Sequence, residues 1–258
     1  MRDLIFDAEA ATAKSPEAAA QQHMRPVLPK RFYKSVTIKA DGDEWRILLD
    51  GRTVKTPAKS VLSLPTDAAA RMVADEWDAQ EKEINPAIMP VTRLANTAID
   101  GISQDPQAVL EDVVSFASND MLFYRGSHPE TLIEAQRRHW DAILDLIQAE
   151  TGARFETIEG ISHIAQSKEA ISLFSARLAK HNAPIKLACL HTMTTLTGSA
   201  LIAFSLIENL ISFDTAWAAA HVDEDHNISF WGEDYEAGKR RENRNKEMMA
   251  AYQLFMAL

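Results

Sequence analysis

The residue types best suited to chemistry crowd into one short run, His221-Val222-Asp223-Glu224-Asp225-His226. Imidazoles and carboxylates this close are the ligands of a divalent metal, and the run departs at one position from the H-x-H-x-D-H segment that supports metal-assisted hydrolysis. A metal-dependent hydrolase centred on His221, Asp223, Asp225 and His226 is therefore one reading. Its context argues otherwise. Such a loop follows a strand, whereas this one follows Asp214-Thr-Ala-Trp-Ala-Ala-Ala220, a strong helix former. The third position is Asp, and no Gly-flanked histidine follows to complete the set. The run reads better as the acidic start of a helix with solvated histidines.

Other constellations are thinner. Cys189 and His191 stand two apart on an apolar helix, so they point away from each other and predict a buried, inert thiol rather than a nucleophile. Asp120, Tyr124 and Arg125 gather at the end of a helix, where Tyr and Arg are favoured interface anchors and where an Asp–Arg pair would close the junction. Gly-rich phosphate loops, G-x-S-x-G, H-E-x-x-H and C-x-x-C are all absent from the sequence.

The stretch Ser229–Lys246, SFWGEDYEAGKRRENRNK, raises a different possibility. Ile228, Trp231 and Tyr235 recur at three and four, which predicts one helical stripe and a packed tryptophan. Glu233, Asp234 and Glu236 follow, then a basic run, and apolar periodicity resumes only at Met248, Met249, Tyr252 and Phe255. Charge pattern alone suits a solvated face; an aromatic anchor beside steering acids suits a docking patch.

The elements that must position these residues fall into two groups. From Phe32 the chain alternates, and the turns at Asp41-Gly42-Asp43 and Asp50-Gly51 predict a small antiparallel sheet of four strands. Thr66-Asp67 caps a helix extending to about Glu83, with Ala69, Met72, Val73 and Trp77 on its inner face. Asn85-Pro86 and Met89-Pro90 mark a boundary. Beyond it nearly everything has helical period, broken at Gly101, Asn119, Pro129, Gly152, Pro184 and Gly198, with one extended piece in Arg154–Ile164. The expected class is α+β: a poorly ordered arm over 1–30, a β-rich domain with one helix over 31–88, and a larger α-helical domain over 89–258.

Bulk properties narrow the function. The 258 residues carry a formal net charge of −10, which disfavours non-specific nucleic-acid binding and adhesion to anionic membranes. A single cysteine excludes an internal disulfide and a thiolate zinc cage, and suits a reducing compartment. Asp3, Asp7 and Glu9 argue against a signal peptide or presequence, so a bacterial cytoplasmic protein is expected. Leu187–Ile207 is uncharged over 21 residues, but His191, its threonines and the Gly198-Ser199 break predict two buried helices rather than a membrane span.

A resemblance sharpens this picture. Asp75–Asp100, DEWDAQEKEINPAIMPVTRLANTAID, strongly resembles the signature of the ATP12 family, assembly chaperones for the F1 part of ATP synthase. Asn119–Gly126, Gln136–Leu144 around Trp140, the Thr197-Gly198-Ser199 helix start and Phe230-Trp-Gly-Glu-Asp-Tyr-Glu-Ala237 resemble that family's later motifs, in order. The resemblance implies a two-part α+β build and a binding protein, not an enzyme, with no cofactor, nucleotide or metal. It implies a partner, the unassembled α subunit of F1, shielded until a β subunit replaces the chaperone; the chaperone itself is expected to be a monomer. It implies an essential acid in the C-terminal region, for which Glu233 or Glu236, then Asp234, match by position. Trp231, Asp223, Glu224, Tyr124 and Arg125 complete the expected docking set.

Overall fold

The computed structural model describes residues 28–258. Most of the arm expected over 1–30 lies outside them, but Pro29 already accepts a hydrogen bond from the Ile84 amide (2.8 Å) and Lys30 bridges to Glu83.

Two strands, β1 (Val36–Asp41) and β2 (Glu44–Leu49), form an antiparallel hairpin pairing Val36 with Leu49. Gly42 turns it at φ 63°. Asp50 and Gly51 both adopt positive φ (47° and 77°), the primed turn that carries β2 into β3 (Arg52–Thr53). The short strand β4 (Ser63–Leu64) pairs with the start of β2. Alternation along β2 sends Ile47 and Leu49 inward, where they meet Leu62, Leu64 and the Ala69, Ala70 and Val73 face of α1 (Asp67–Asp78). The sheet is four-stranded, as the turns predict, but β1 begins at Val36. Phe32 is exposed and Tyr33 is the buried residue. Helix α1 stops at Asp78 rather than Glu83, because the buried Gln80 amide bonds the Glu76 carbonyl and receives the Asn85 amide, which turns the chain toward Pro86.

The remainder is helical, so the architecture is α+β with a small strand region and a larger helical part. Helices α2 (Pro90–Asp100) and α3 (Pro106–Ser118) begin with prolines, whose missing amide costs nothing at a first turn. The Glu76 carboxylate of α1 accepts from the Val91 and Thr92 amides at 2.7 Å each, capping α2 from outside. Thus the most distinctive motif of the sequence builds the joint between sheet and helices. Next, β5 (Tyr124–Arg125) pairs in parallel with β6 (Ile158–Glu159), the extended piece. Between them, α4 (Glu130–Gln136) runs through a π-turn at Arg137–Asp141 into α5 (Ala142–Thr151).

The centre is α7 (Pro184–Thr197) and α8 (Ala200–Ile207), with α6 (Lys168–Leu178) preceding them. Gly198 at φ 71° and the Ser199 hydroxyl, which accepts from Ile202 N, make the expected break. Every residue of α8 is buried, which explains its all-round apolar sequence without a bilayer. No helix of the described residues is long and apolar enough to cross a membrane. Helices α9 (Phe213–Ala220) and α10 (Val222–Trp231) lead to α11 (Tyr235–Met256), whose second half buries Met248, Ala251, Leu254 and Phe255 against α7 and α2. At its far end the Ala257 carbonyl accepts from the Thr66 hydroxyl (2.6 Å), tying the end of α11 to the cap of α1.

Candidate functional site

Helix α10 ends at Trp231 because Gly232, at φ 80° and ψ 169°, turns the backbone out of the helix. The Asp234 carboxylate then accepts from Ala237 N at 2.8 Å and starts α11. The expected single stripe of Ile228, Trp231 and Tyr235 is therefore wrong: Tyr235 opens a second helix. Nor is Trp231 packed. It is 87% exposed, with Phe230 at 63% and Tyr235 at 79%. Three large aromatics standing in solvent at one corner carry a cost unless something covers them. Phe230 was missed in the sequence; the signal was that two consecutive aromatics at the end of a helix cannot both face the core.

Acids surround this corner. Asp223, Glu224 and Asp225 occupy the first turn of α10, and Glu233, Asp234 and Glu236 surround the start of α11. A Cβ on Gly238 would stand 2.5 Å from Glu233 Oε1, so the glycine lets this carboxylate fold down onto α11. Residues Glu224, Asn227, Ile228, Trp231, Glu233 and Asp234, with Ala237 and Gly238, enclose a cleft of about 410 Å³ between the two helices.

The histidine run does not converge. His221 is 3% exposed, not solvated: its ring lies 4.0 Å from that of Trp217, and Nδ1 is 2.8 Å from the Trp217 carbonyl. Burial pushes its pKa below the ordinary value, keeping the imidazole neutral. Asp223 accepts from Gln136, Asp225 pairs with Arg241, and His226 Nε2 lies 3.0 Å from the Thr131 hydroxyl. These four side chains have four separate partners, and among the described residues no group of three potential ligands is arranged to hold a metal.

Asp120 and Arg125 do not pair either. Asp120 accepts from Leu122 N (3.2 Å) and Leu201 N (3.1 Å), capping a short turn and α8 together. Arg125 lies 2.9 Å from Asp141 and 5.2 Å over the Trp140 ring. The Tyr124 hydroxyl donates to Asn119. Both are half-buried and committed to internal contacts. The adjoining Gly126 is linked to the acidic helix, and Trp140 beneath Arg125 to the end of α9. The buried Gln136 side chain accepts from Gly126 N and donates to Asp223 Oδ1, each at 2.8 Å, and Trp140 Nε1 donates to the Ala219 carbonyl at 2.8 Å. Cys189 is buried, and desolvation pushes its thiol up to about 12.

Comparisons with known proteins agree on one family. Residues 30–148 match the profile described as ATP12 chaperone protein. A mitochondrial atp12 protein of Schizosaccharomyces pombe is 24% identical over 218 residues, covering 79% of this chain and 74% of that one. Among solved structures, a protein of Agrobacterium tumefaciens superposes with a TM-score of 0.87 at 46% identity, over 96% of this chain and 92% of the other. Atp12 from Paracoccus denitrificans superposes at 0.83 with 33% identity, over 89% of this chain and 98% of its own. The chain belongs to the ATP12 family of ATP synthase assembly chaperones.

Proposed function

We propose that this chaperone binds the unassembled α subunit of F1 and covers the face that a β subunit later occupies. It does so as a monomer in the bacterial cytoplasm, and it catalyses no reaction. The observation that carries this reading is the solvent-exposed aromatics Phe230, Trp231 and Tyr235, with Glu233, Asp234 and Glu236 interleaved among them. Exposed apolar surface with steering charge beside it suits a reversible holder of a bare subunit face. A standard interface needs about 800 Å² on each partner, so docking would extend from this corner onto the adjoining α10 and α11 surfaces. Aromatics supply contact area, while Glu233, Asp234, Glu236, Asp223 and Glu224 speed and orient encounter with a basic face. The half-buried Tyr124 and Arg125 belong to the same reading as a second set behind this surface, Arg125 lying over the Trp140 ring and the adjoining Gly126 amide bonding the Gln136 that holds Asp223.

The test is capture of purified α subunit by the immobilised chain. The double change Glu233→Lys, Glu236→Lys is expected to weaken capture about tenfold or more through lost steering and new repulsion. Both side chains are exposed, so folding stability should move by only about 0.5 kcal/mol. Undiminished capture at moderate salt would exclude the acidic corner as the docking surface.

A further inference from the structure

The cleft between α10 and α11 has a floor and a rim of different character. Ile228, Ala237 and the glycine backbones at 232 and 238 make the floor, and the Trp231 indole stands at the side, open to solvent. Around it are three carboxylates, Glu224, Glu233 and Asp234, and no basic residue among the lining. Arg241, paired with Asp225, is close enough to Glu224 and Glu233 to offset part of their charge from outside the cleft, and the exposed Lys239 and Arg240 also lie outside the lining. His221 Nε2, 3.9 Å from Glu224, belongs to a buried ring that burial keeps neutral, so it does not balance that carboxylate. Asp234 spends one oxygen on Ala237 N, and Glu233 is laid against Gly238 at the cleft edge.

We infer that this cleft receives an arginine side chain of the client protein, which rests on the reading of the corner as the client-binding surface. The methylene stem suits the apolar floor, and a guanidinium is the cation that stacks on an indole face while its flat fork reaches more than one carboxylate. An ammonium is rounder, more strongly hydrated and has no plane to stack, so lysine fits less well. A neutral apolar side chain would use the floor and leave the carboxylates of the rim with only Arg241, outside the cleft, to offset them.

The experiment is an amide and indole NMR titration of the full chain with N-acetyl-arginine methylamide, its citrulline analogue and its lysine analogue. Saturable shifts are expected at the Trp231 indole and the Gly232 and Gly238 amides with arginine, none that saturate with citrulline, and about threefold weaker binding with lysine. Trp231→Ala, and Glu224→Gln combined with Glu233→Gln, should each weaken arginine about threefold or more, with the rest of the spectrum unchanged. No saturation at these glycines, equal response to citrulline, or indifference to the carboxylate changes would overturn the inference. Capture of the α subunit is measured in parallel. Capture by a cleft that ignores arginine removes this inference alone, while arginine binding without capture removes the α-subunit reading and leaves the cleft.

Discussion

Asp120 is a carboxylate that the fold both buries and uses. Two amides point at it, yet desolvation outweighs them and lifts its pKa from 3.8 to about 6. Between about pH 4 and 6 the native carboxyl therefore keeps a proton that the unfolded one has lost. Stability from this group is full below pH 4 and is lost as pH rises through 6, an effect of about 3 kcal/mol for a shift of this size. Urea unfolding across this range should show wild type losing ground to Asp120→Asn as pH rises; parallel profiles would refute the assignment. Cys189 makes a simpler prediction. Its buried, unionised thiol should stay silent to a thiol-reactive chromogen in the native protein and react once on unfolding. Fast native labelling would show that the α7 core opens. These residues were legible to different degrees. The inert thiol follows from spacing, but an Asp120–Arg125 pairing was the natural expectation because both lie in one motif. The true partners of Asp120 include Leu201 N, remote in sequence and invisible to any local pattern.

At the scale of elements, one helix serves two neighbours around the π-turn at Arg137–Asp141. Gln136 and Trp140, four apart at this turn, are both buried, one bonding Asp223 of α10 and the other the last turn of α9. Trp140→Ala should cost about 3–5 kcal/mol in denaturant unfolding, while Trp140→Phe should lose mainly the indole hydrogen bond, about 1 kcal/mol. Similarly, Glu76→Ala leaves two first-turn amides of α2 without their shared acceptor, and a loss of about 2 kcal/mol is expected by the same measurement. The four antiparallel strands, the primed turn at Asp50-Gly51, the α7–α8 break and the extended 158–159 piece follow from period and punctuation, while the pairing of β4 with β2 does not. The split between α10 and α11 did not, because Trp231 and Tyr235 keep helical spacing across it. The decisive signals were Gly232 and the Asp234 cap, which a search for apolar spacing passes over.

Across the whole molecule, charge is distributed unevenly around the exposed aromatics. Six acids lie at the start of α10 and around the start of α11, and of these Asp225 is ion-paired within the chain. Encounter with a basic client face should therefore be salt-sensitive. Stopped-flow association with the α subunit is expected to slow about tenfold between low and half-molar salt, with dissociation changing much less. Equal sensitivity in both rates would point to ion pairs holding the complex rather than guiding it. The acidity of this corner was readable from composition and local charge, but its accessibility was not: only the fold shows that the aromatics beside it stand clear of the core.

The bond from the Thr66 hydroxyl to the Ala257 carbonyl spans 191 positions of chain. It fastens the cap of α1 to the end of α11, and the Arg93–Glu247 ion pair ties α2 to the same helix. On the ribosome, then, the cap of α1 must wait for the end of α11 to emerge before it finds this partner. A nascent chain stalled before α11 emerges lacks this partner and should be a species that proteases cut readily near residue 66.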